Sequence, residues 1–196
     1  MTQYPVKTVC VYCGSRHGTR PAYTTLAQTL GTQLAKEGFG LVYGAGSVGL
    51  MGEVARSATH AGARVVGIIP DHLDAVEITQ EGLSETIVTT SMHERKKLMF
   101  DMSDAFLILP GGLGTLDETF EILTWRQLGL HKKPIILINE GGFWSPLIDL
   151  IDTVVTEGFA GHHHRDMLKV ADTVDQAVTL LKGGAVDTGE SASHLF

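Results

Sequence analysis

The sequence predicts one α/β domain built on an open parallel sheet with helices on both faces. Three observations predict it. Short unbroken apolar runs alternate with helix-period segments, the pattern of repeated strand–helix units. Three glycine-rich loops, at residues 14–18, 44–49 and 111–114, each follow one of the apolar runs. The chain of 196 residues shows no internal repeat or interdomain linker, and its length suits one substantial core. The domain is expected over residues 1–182, a Rossmann-like nucleotide-binding arrangement. From Gly183 onward Gly, Ala, Asp, Ser and Glu dominate, so residues 183–196 read as a disordered tail.

In order, Val6 to Tyr12 reads as the first strand, followed by a helix that Pro21 starts and Gly38 stops. Gly40 to Tyr43 is the second strand, with a helix from about Leu50 to His60. Arg64 to Ile69 is the third, closed by Pro70, and residues 71–82 read as an irregular lid or short helix. Thr86 to Thr90 is a strand, and Ser91-Met-His-Glu94 matches a capping box opening a helix to about Ser103. Ala105 to Leu109 is a strand buried on both faces, ended by Pro110, with a helix from Leu116 to Leu128. Pro134 to Ile138 is the next strand, and Ser145-Pro146 starts a helix that runs to Glu157. Val170 begins a last strand, and Thr173 caps a terminal helix through Leu181.

Composition excludes several classes. A formal net charge of −7 gives no basic footprint for nucleic acid. No apolar stretch is long enough to span a bilayer, and Met1 to Pro5 shows no signal-peptide pattern, so a cytoplasmic protein is expected. Cys10 and Cys13 form C-x-x-C, but within a strand, where side chains three apart point to opposite faces. They read as buried core thiols. His162, His163 and His164 are consecutive and cannot share one regular face, so no metal is proposed.

Asp104 to Glu118 organises the chain. A strand, a turn containing Gly111, Gly112 and Gly114, and a helix N-terminus together present free N–H groups and the positive end of a helix dipole. That is a site for an anion, most often phosphate. Thr115 is expected to open the helix, which puts Glu118 at its third position, where a bound phosphate would bring its substrate. Thr115 and Glu118 also fit a capping box, T-x-x-E; a cap needs none of the three glycines, which favours the anion site. Ligands in such sheets bind beyond the carboxyl ends of the strands. All three glycine loops lie on that edge, which adds Ser15, Gly46 and Ser47 as candidate contacts. Met92 and Trp125 are candidate walls of a base pocket, with plain core packing as the alternative.

Gly44-x-Gly46-x-x-Gly49 matches the dinucleotide fingerprint literally, and NAD(P) binding is the runner-up reading. The acidic partner, Asp71, lies further on than the usual spacing of about 20 residues. Arg95, Lys96 and Lys97 stand near a helix start, where cations oppose the dipole at a cost of about 0.3–1 kcal/mol each. That cost favours a role for Arg95: clamping a phosphate or ribose, or holding Glu118 ionised.

Pro110-Gly-Gly-Leu-Gly-Thr-Leu-Asp-Glu118 resembles the PGGxGTxxE signature of the LONELY GUY proteins, cytokinin-activating phosphoribohydrolases often mislabelled as lysine decarboxylases. The resemblance extends through Cys13-Gly-Ser15, Val42 to Gly52, Gly67 to Pro70, Met92 to Lys96 and Leu123 to Trp125. It implies hydrolysis of the N-glycosidic bond of an N6-modified adenosine 5′-monophosphate, without a cofactor, in a homodimer. It makes Arg95 and Glu118 catalytic. It gives substrate contacts to Glu77, Lys96, Thr124 and the loop Gly112, Leu113, Gly114, Thr115, Leu116, Asp117 to Glu118. Ala45, where the family has glycine, and Leu113, where plant members have tyrosine, are expected to line the pocket. A general nucleoside-monophosphate nucleosidase, a non-catalytic nucleotide carrier and a pyridoxal-phosphate decarboxylase are the alternatives.

Overall fold

The computed structural model describes residues 6–74 and 82–183. Its strands are β1 (Thr8–Tyr12), β2 (Gly40–Tyr43), β3 (Val65–Pro70), β4 (Glu85–Thr89), β5 (Ala105–Ile108), β6 (Ile135–Ile138) and β7 (Leu168–Ala171). They form one parallel sheet in the order β4-β3-β2-β1-β5-β6-β7. The Rossmann-like α/β fold expected from the sequence is therefore the one observed. The helices are α1 (Pro21–Lys36), α2 (Gly49–His60), α3 (Asp71–Asp74), α4 (Met92–Asp101), α5 (Leu113–Gln127), α6 (Ser145–Thr156), α7 (His162–Arg165) and α8 (Val174–Lys182).

Parallel strands buried on both faces need apolar side chains on both. β1 shows the division: Val9 and Val11 join the layer of α1, α2 and α8, while Cys10 and Tyr12 join that of α4, α5 and α6. Cys13 belongs to the first layer, so the two cysteines lie on opposite faces as free thiols. Burial pushes both thiols well above their ordinary range, which makes them poor nucleophiles. The first layer is drawn tight at Gly31, where a Cβ would stand 2.3 Å from the Val54 carbonyl oxygen across the α1–α2 crossing.

Most boundaries fall where the sequence puts them. The stops at Gly38 (φ +77°), Gly129 (φ +74°) and Gly158 (φ +80°) occupy the left-handed region that favours glycine. β1 begins at Thr8 rather than Val6, because the Asp104 carboxylate accepts from the Lys7 and Thr8 amides, both at 2.9 Å. Ser91 caps α4 through the Glu94 amide (3.2 Å), but the Glu94 carboxylate answers Thr90 rather than Ser91. The three consecutive histidines open the one-turn α7, where the Gly161 amide donates to His164 Nδ1 at 2.9 Å. Of residues 71–82, α3 accounts for the start, while the candidate contact Glu77 and the predicted tail beyond Gly183 lie outside the described residues.

The order reverses between β1 and β5: the chain winds one way through β2, β3 and β4, then the other through β6 and β7. That reversal opens a crevice beyond the carboxyl ends of β1 and β5. The Gly14 and Gly111 loops leave the sheet at this point.

Candidate active site

α5 starts three residues earlier than its capping-box match suggests. Gly112 is the extended N-cap (φ −100°, ψ −155°), and the Leu116 amide makes the first helical bond, to the Gly112 carbonyl at 3.1 Å. Thr115 is thus the third helical residue and Glu118 the sixth. The predicted box is not formed, because a glycine cap has no side chain to accept. Thr115 instead folds back on Gly111, where a Cβ would meet its hydroxyl oxygen at 2.1 Å. Gly112 and Gly114 differ: they are exposed, and open space lies where their Cβ atoms would stand. The amides of Leu113, Gly114 and Thr115 precede the first helical bond and have no partner within the helix. Bare amides of this kind at a helix start are what a bound anion requires.

Glu118, one turn further along α5, makes no hydrogen bond to any described residue. Its charge raises the pKa of Cys10, Tyr12 and Cys13, which places it over the end of β1. Burial pushes its own carboxyl up to about 7, against the pull of the Arg95 guanidinium. Asp117 and Glu121 add to the rise, and Lys96 opposes it. The expectation that Arg95 keeps Glu118 ionised is corrected, since desolvation outweighs the one buried cation.

Arg95 is buried and fixed by the sheet edge. Nε donates to the Ile68 carbonyl and Nη2 to the Gly44 carbonyl, both at 3.1 Å, and Nη1 lies 3.4 Å from Met92 Sδ. Gly44 has to be glycine here, for a Cβ would stand 1.9 Å from Nη2. The Gly46 amide also bonds the Gly44 carbonyl (2.9 Å), closing a tight turn through Ala45 at φ +61°. Ala45 is fully buried and faces Gly67 on β3, so it does not line the crevice. Leu113 does stand at the mouth, 85% exposed.

The remaining candidates divide. Lys96 is held between Asp117 (3.2 Å) and Glu121 (3.0 Å), tying α4 to α5. Ser15 and Ser47 lie on the neighbouring loops, with Gly46 buried beneath. Those loops touch: a Cβ on Gly49 would stand 2.3 Å from the Ser15–Arg16 backbone. The fingerprint glycines Gly44 and Gly49 are thus explained by internal packing, which removes the main support for a dinucleotide. Met92 stays at the crevice beside Arg95, whereas the half-buried Trp125 packs edge-on to Phe100 (4.9 Å between ring centres). Thr124 lies six residues beyond Glu118, about 9 Å along the helix axis, on an exposed face. The polar network around Glu53 on α2 carried no motif and was invisible in the sequence.

The raised carboxyl has a measurable consequence. Between its ordinary 4.5 and about 7, folded Glu118 keeps a proton that the unfolded chain has lost. Its contribution therefore falls as pH rises through that window, by up to about 3 kcal/mol. Urea denaturation of wild type and Glu118→Gln at pH 5 and pH 8 isolates this, because other groups cancel in the difference. The variant should gain on wild type by about 1–3 kcal/mol at the higher pH; equal differences at both would remove the buried carboxyl.

A family model described as "Possible lysine decarboxylase" matches residues 51–181. A probable cytokinin riboside 5′-monophosphate phosphoribohydrolase of Oryza sativa subsp. japonica is 44% identical over 181 residues, 92% of this chain and 79% of that protein. A cytokinin riboside 5′-monophosphate phosphoribohydrolase of Arabidopsis thaliana is 41% identical over 194 residues, covering 99% of this chain and 89% of the relative. Among solved structures, the molybdenum cofactor carrier protein of Chlamydomonas reinhardtii matches with a TM-score of 0.70 at 21% identity, over 90% of this chain and 96% of that one. That likeness is one of fold. With the PGGxGTxxE stretch at the mouth of the crevice and identity sustained along nearly the whole chain, the protein belongs to the LONELY GUY family of phosphoribohydrolases.

Proposed function

We propose that the chain hydrolyses the N-glycosidic bond of a nucleoside 5′-monophosphate, with N6-modified adenosine monophosphates as the substrate class, releasing free base and ribose 5-phosphate. One observation carries the reading: a carboxyl poised near neutrality stands one turn inside a helix whose bare N-terminal amides face the crevice.

The phosphate docks on the Leu113, Gly114 and Thr115 amides, which fixes the ribose beneath Glu118. As the C1′–N bond breaks, its electron pair leaves with the base and positive charge develops on the sugar. Ionised Glu118 stabilises that charge and takes a proton from the attacking water, whose oxygen bonds to C1′. The proton then passes to the departed base. Arg95, held by two carbonyls, limits how far burial raises the Glu118 carboxyl.

A pyridoxal-phosphate decarboxylase would need a neutral lysine for its Schiff base. Burial pushes the crevice lysine, Lys96, down, but its bonds to Glu121 and Asp117 outweigh that and leave its pKa raised. That disfavours the decarboxylase reading. Two buried free thiols suit the reducing cytoplasm we assign to the protein. Among the described residues no helix is long and apolar enough to cross a membrane.

We further propose that the protein works as a homodimer. Leu113, Phe120 (42% exposed) and Leu128 (53% exposed) share one face of α5 with Thr124, an apolar stripe continuous with the crevice mouth. A second copy packed there would bring Thr124 to the neighbouring crevice.

Incubation with AMP and isopentenyl-AMP, followed by chromatography, should show base and ribose 5-phosphate in equal amounts. Glu118→Gln should lower the rate by about 10²–10⁴-fold while remaining folded. Wild-type kcat/KM should climb about tenfold per pH unit below about 7 and level off above it; retained turnover in the variant would remove Glu118 from the mechanism. For the dimer, Phe120→Glu should sediment at half the wild-type mass, and an unchanged mass would place the interface elsewhere.

A further inference from the structure

Glu53 on α2 lies outside the residues assigned to the chemistry, yet its carboxylate is the meeting point of three elements. Oε2 accepts from Gln28 Nε2 on α1 at 2.8 Å. Oε1 accepts from Arg56 Nη2 at 2.6 Å and lies 3.3 Å from His17 Nε2, on the β1–α1 loop. Arg56 in turn donates from Nη1 to the Ser47 carbonyl at 2.8 Å, on the β2–α2 loop. The Glu53 side chain is only 15% exposed. Burial alone would push its carboxyl up, but the bonds from Gln28, His17 and Arg56 hold it below its ordinary value, so it remains charged.

The backbone around this network shows what it holds. The Leu50 and Met51 amides at the start of α2 both donate to the Gly14 carbonyl (3.0 and 3.3 Å). A Cβ on Gly52 would stand 1.9 Å from the Ser47 carbonyl oxygen. The first turn of α2 therefore rests on both loops that wall the crevice opposite α5, with Glu53 tying them from below.

We propose that Glu53 is a positioning residue for the phosphate end of the site. Through His17 and Arg56 it holds the loops bearing Ser15 and Ser47 at a fixed distance from the α5 amides. Capture of a phosphoribosyl ligand, rather than bond cleavage, then depends on it. The inference rests on the phosphoribohydrolase reading above. A purely structural role for the same network would affect stability without affecting capture.

The test combines steady-state kinetics on AMP and isopentenyl-AMP with calorimetric binding of ribose 5-phosphate, using wild type, Glu53→Gln and Gln28→Ala. Glu53→Gln should raise KM and the ribose 5-phosphate Kd together by about tenfold, with kcat within about twofold of wild type. Gln28→Ala, which removes one arm, should shift both in the same direction by less, and it carries the test if Glu53→Gln fails to fold. Adding Arg56→Met to Glu53→Gln should cost little more than either change alone, since both cut one network. Unchanged KM and Kd with a lowered Tm, or a loss confined to kcat, would overturn the proposal. A wild-type protein that binds ribose 5-phosphate without releasing base would refute the hydrolase reading while the binding arm still decides on Glu53. A wild-type protein that binds neither ligand would refute both.

Discussion

Gly14 and Gly111 meet where the sheet reverses its winding. The Gly14 amide donates to the Pro110 carbonyl at 3.0 Å, and a Cβ on Gly14 would stand 3.4 Å from Gly111 Cα. The Leu109 amide bonds the Tyr12 carbonyl at the same distance of 3.0 Å just below. Two loops that should diverge are thus held together at the mouth of the crevice. Gly111 receives the Thr115 side chain, which fixes how α5 enters, and the Gly14 carbonyl receives α2. A side chain at Gly111 would displace Thr115 and with it the helix start that presents the amides.

The chemistry follows from a contest between burial and charge over Glu118. Desolvation of a carboxylate raises its pKa, and a nearby guanidinium lowers it. Here burial wins, and the carboxyl settles at about 7. Arg95 acts on it as a charge, while its Nε, Nη2 and Nη1 are turned to the Ile68 carbonyl, the Gly44 carbonyl and Met92 Sδ. A closer ion pair would leave Glu118 fully ionised but engaged. A more distant cation would leave it protonated at physiological pH. A carboxyl at about 7 can exchange a proton near neutrality, which is what the proposed proton transfer requires.

Much of this was legible in the sequence. Short apolar runs such as Ile135–Ile138, bounded by turn residues, are strands buried on both faces, and glycines such as Gly38 and Gly129 stop helices at positive φ. Composition and the glycine loops gave the edge of the sheet that carries the site. The start of α5 was misplaced because T-x-x-E looks like a cap, whereas the actual cap is Gly112, which offers no side-chain signal. Arg95 was found but not its anchors, since Gly44 and Ile68 are far from it in the chain and come near only through the strand order. Ala45 looked like a pocket residue by position. Its backbone, turned by the Gly46–Gly44 hydrogen bond, buries the methyl group against β3 instead. Glu53 had no signal, because its partners come from three separate elements.

The proposed chemistry depends most on Glu118 being held near neutrality by burial, with Arg95 opposing. Carbon-detected NMR titration of the glutamate side chains reads this directly, with Glu118 assigned by its absence in Glu118→Gln. One glutamate titrating with a midpoint of about 7, moved higher in Arg95→Met, is the predicted result. A midpoint at the ordinary value of 4.5 would contradict it, for the site would then hold a permanently ionised carboxylate with no proton to exchange.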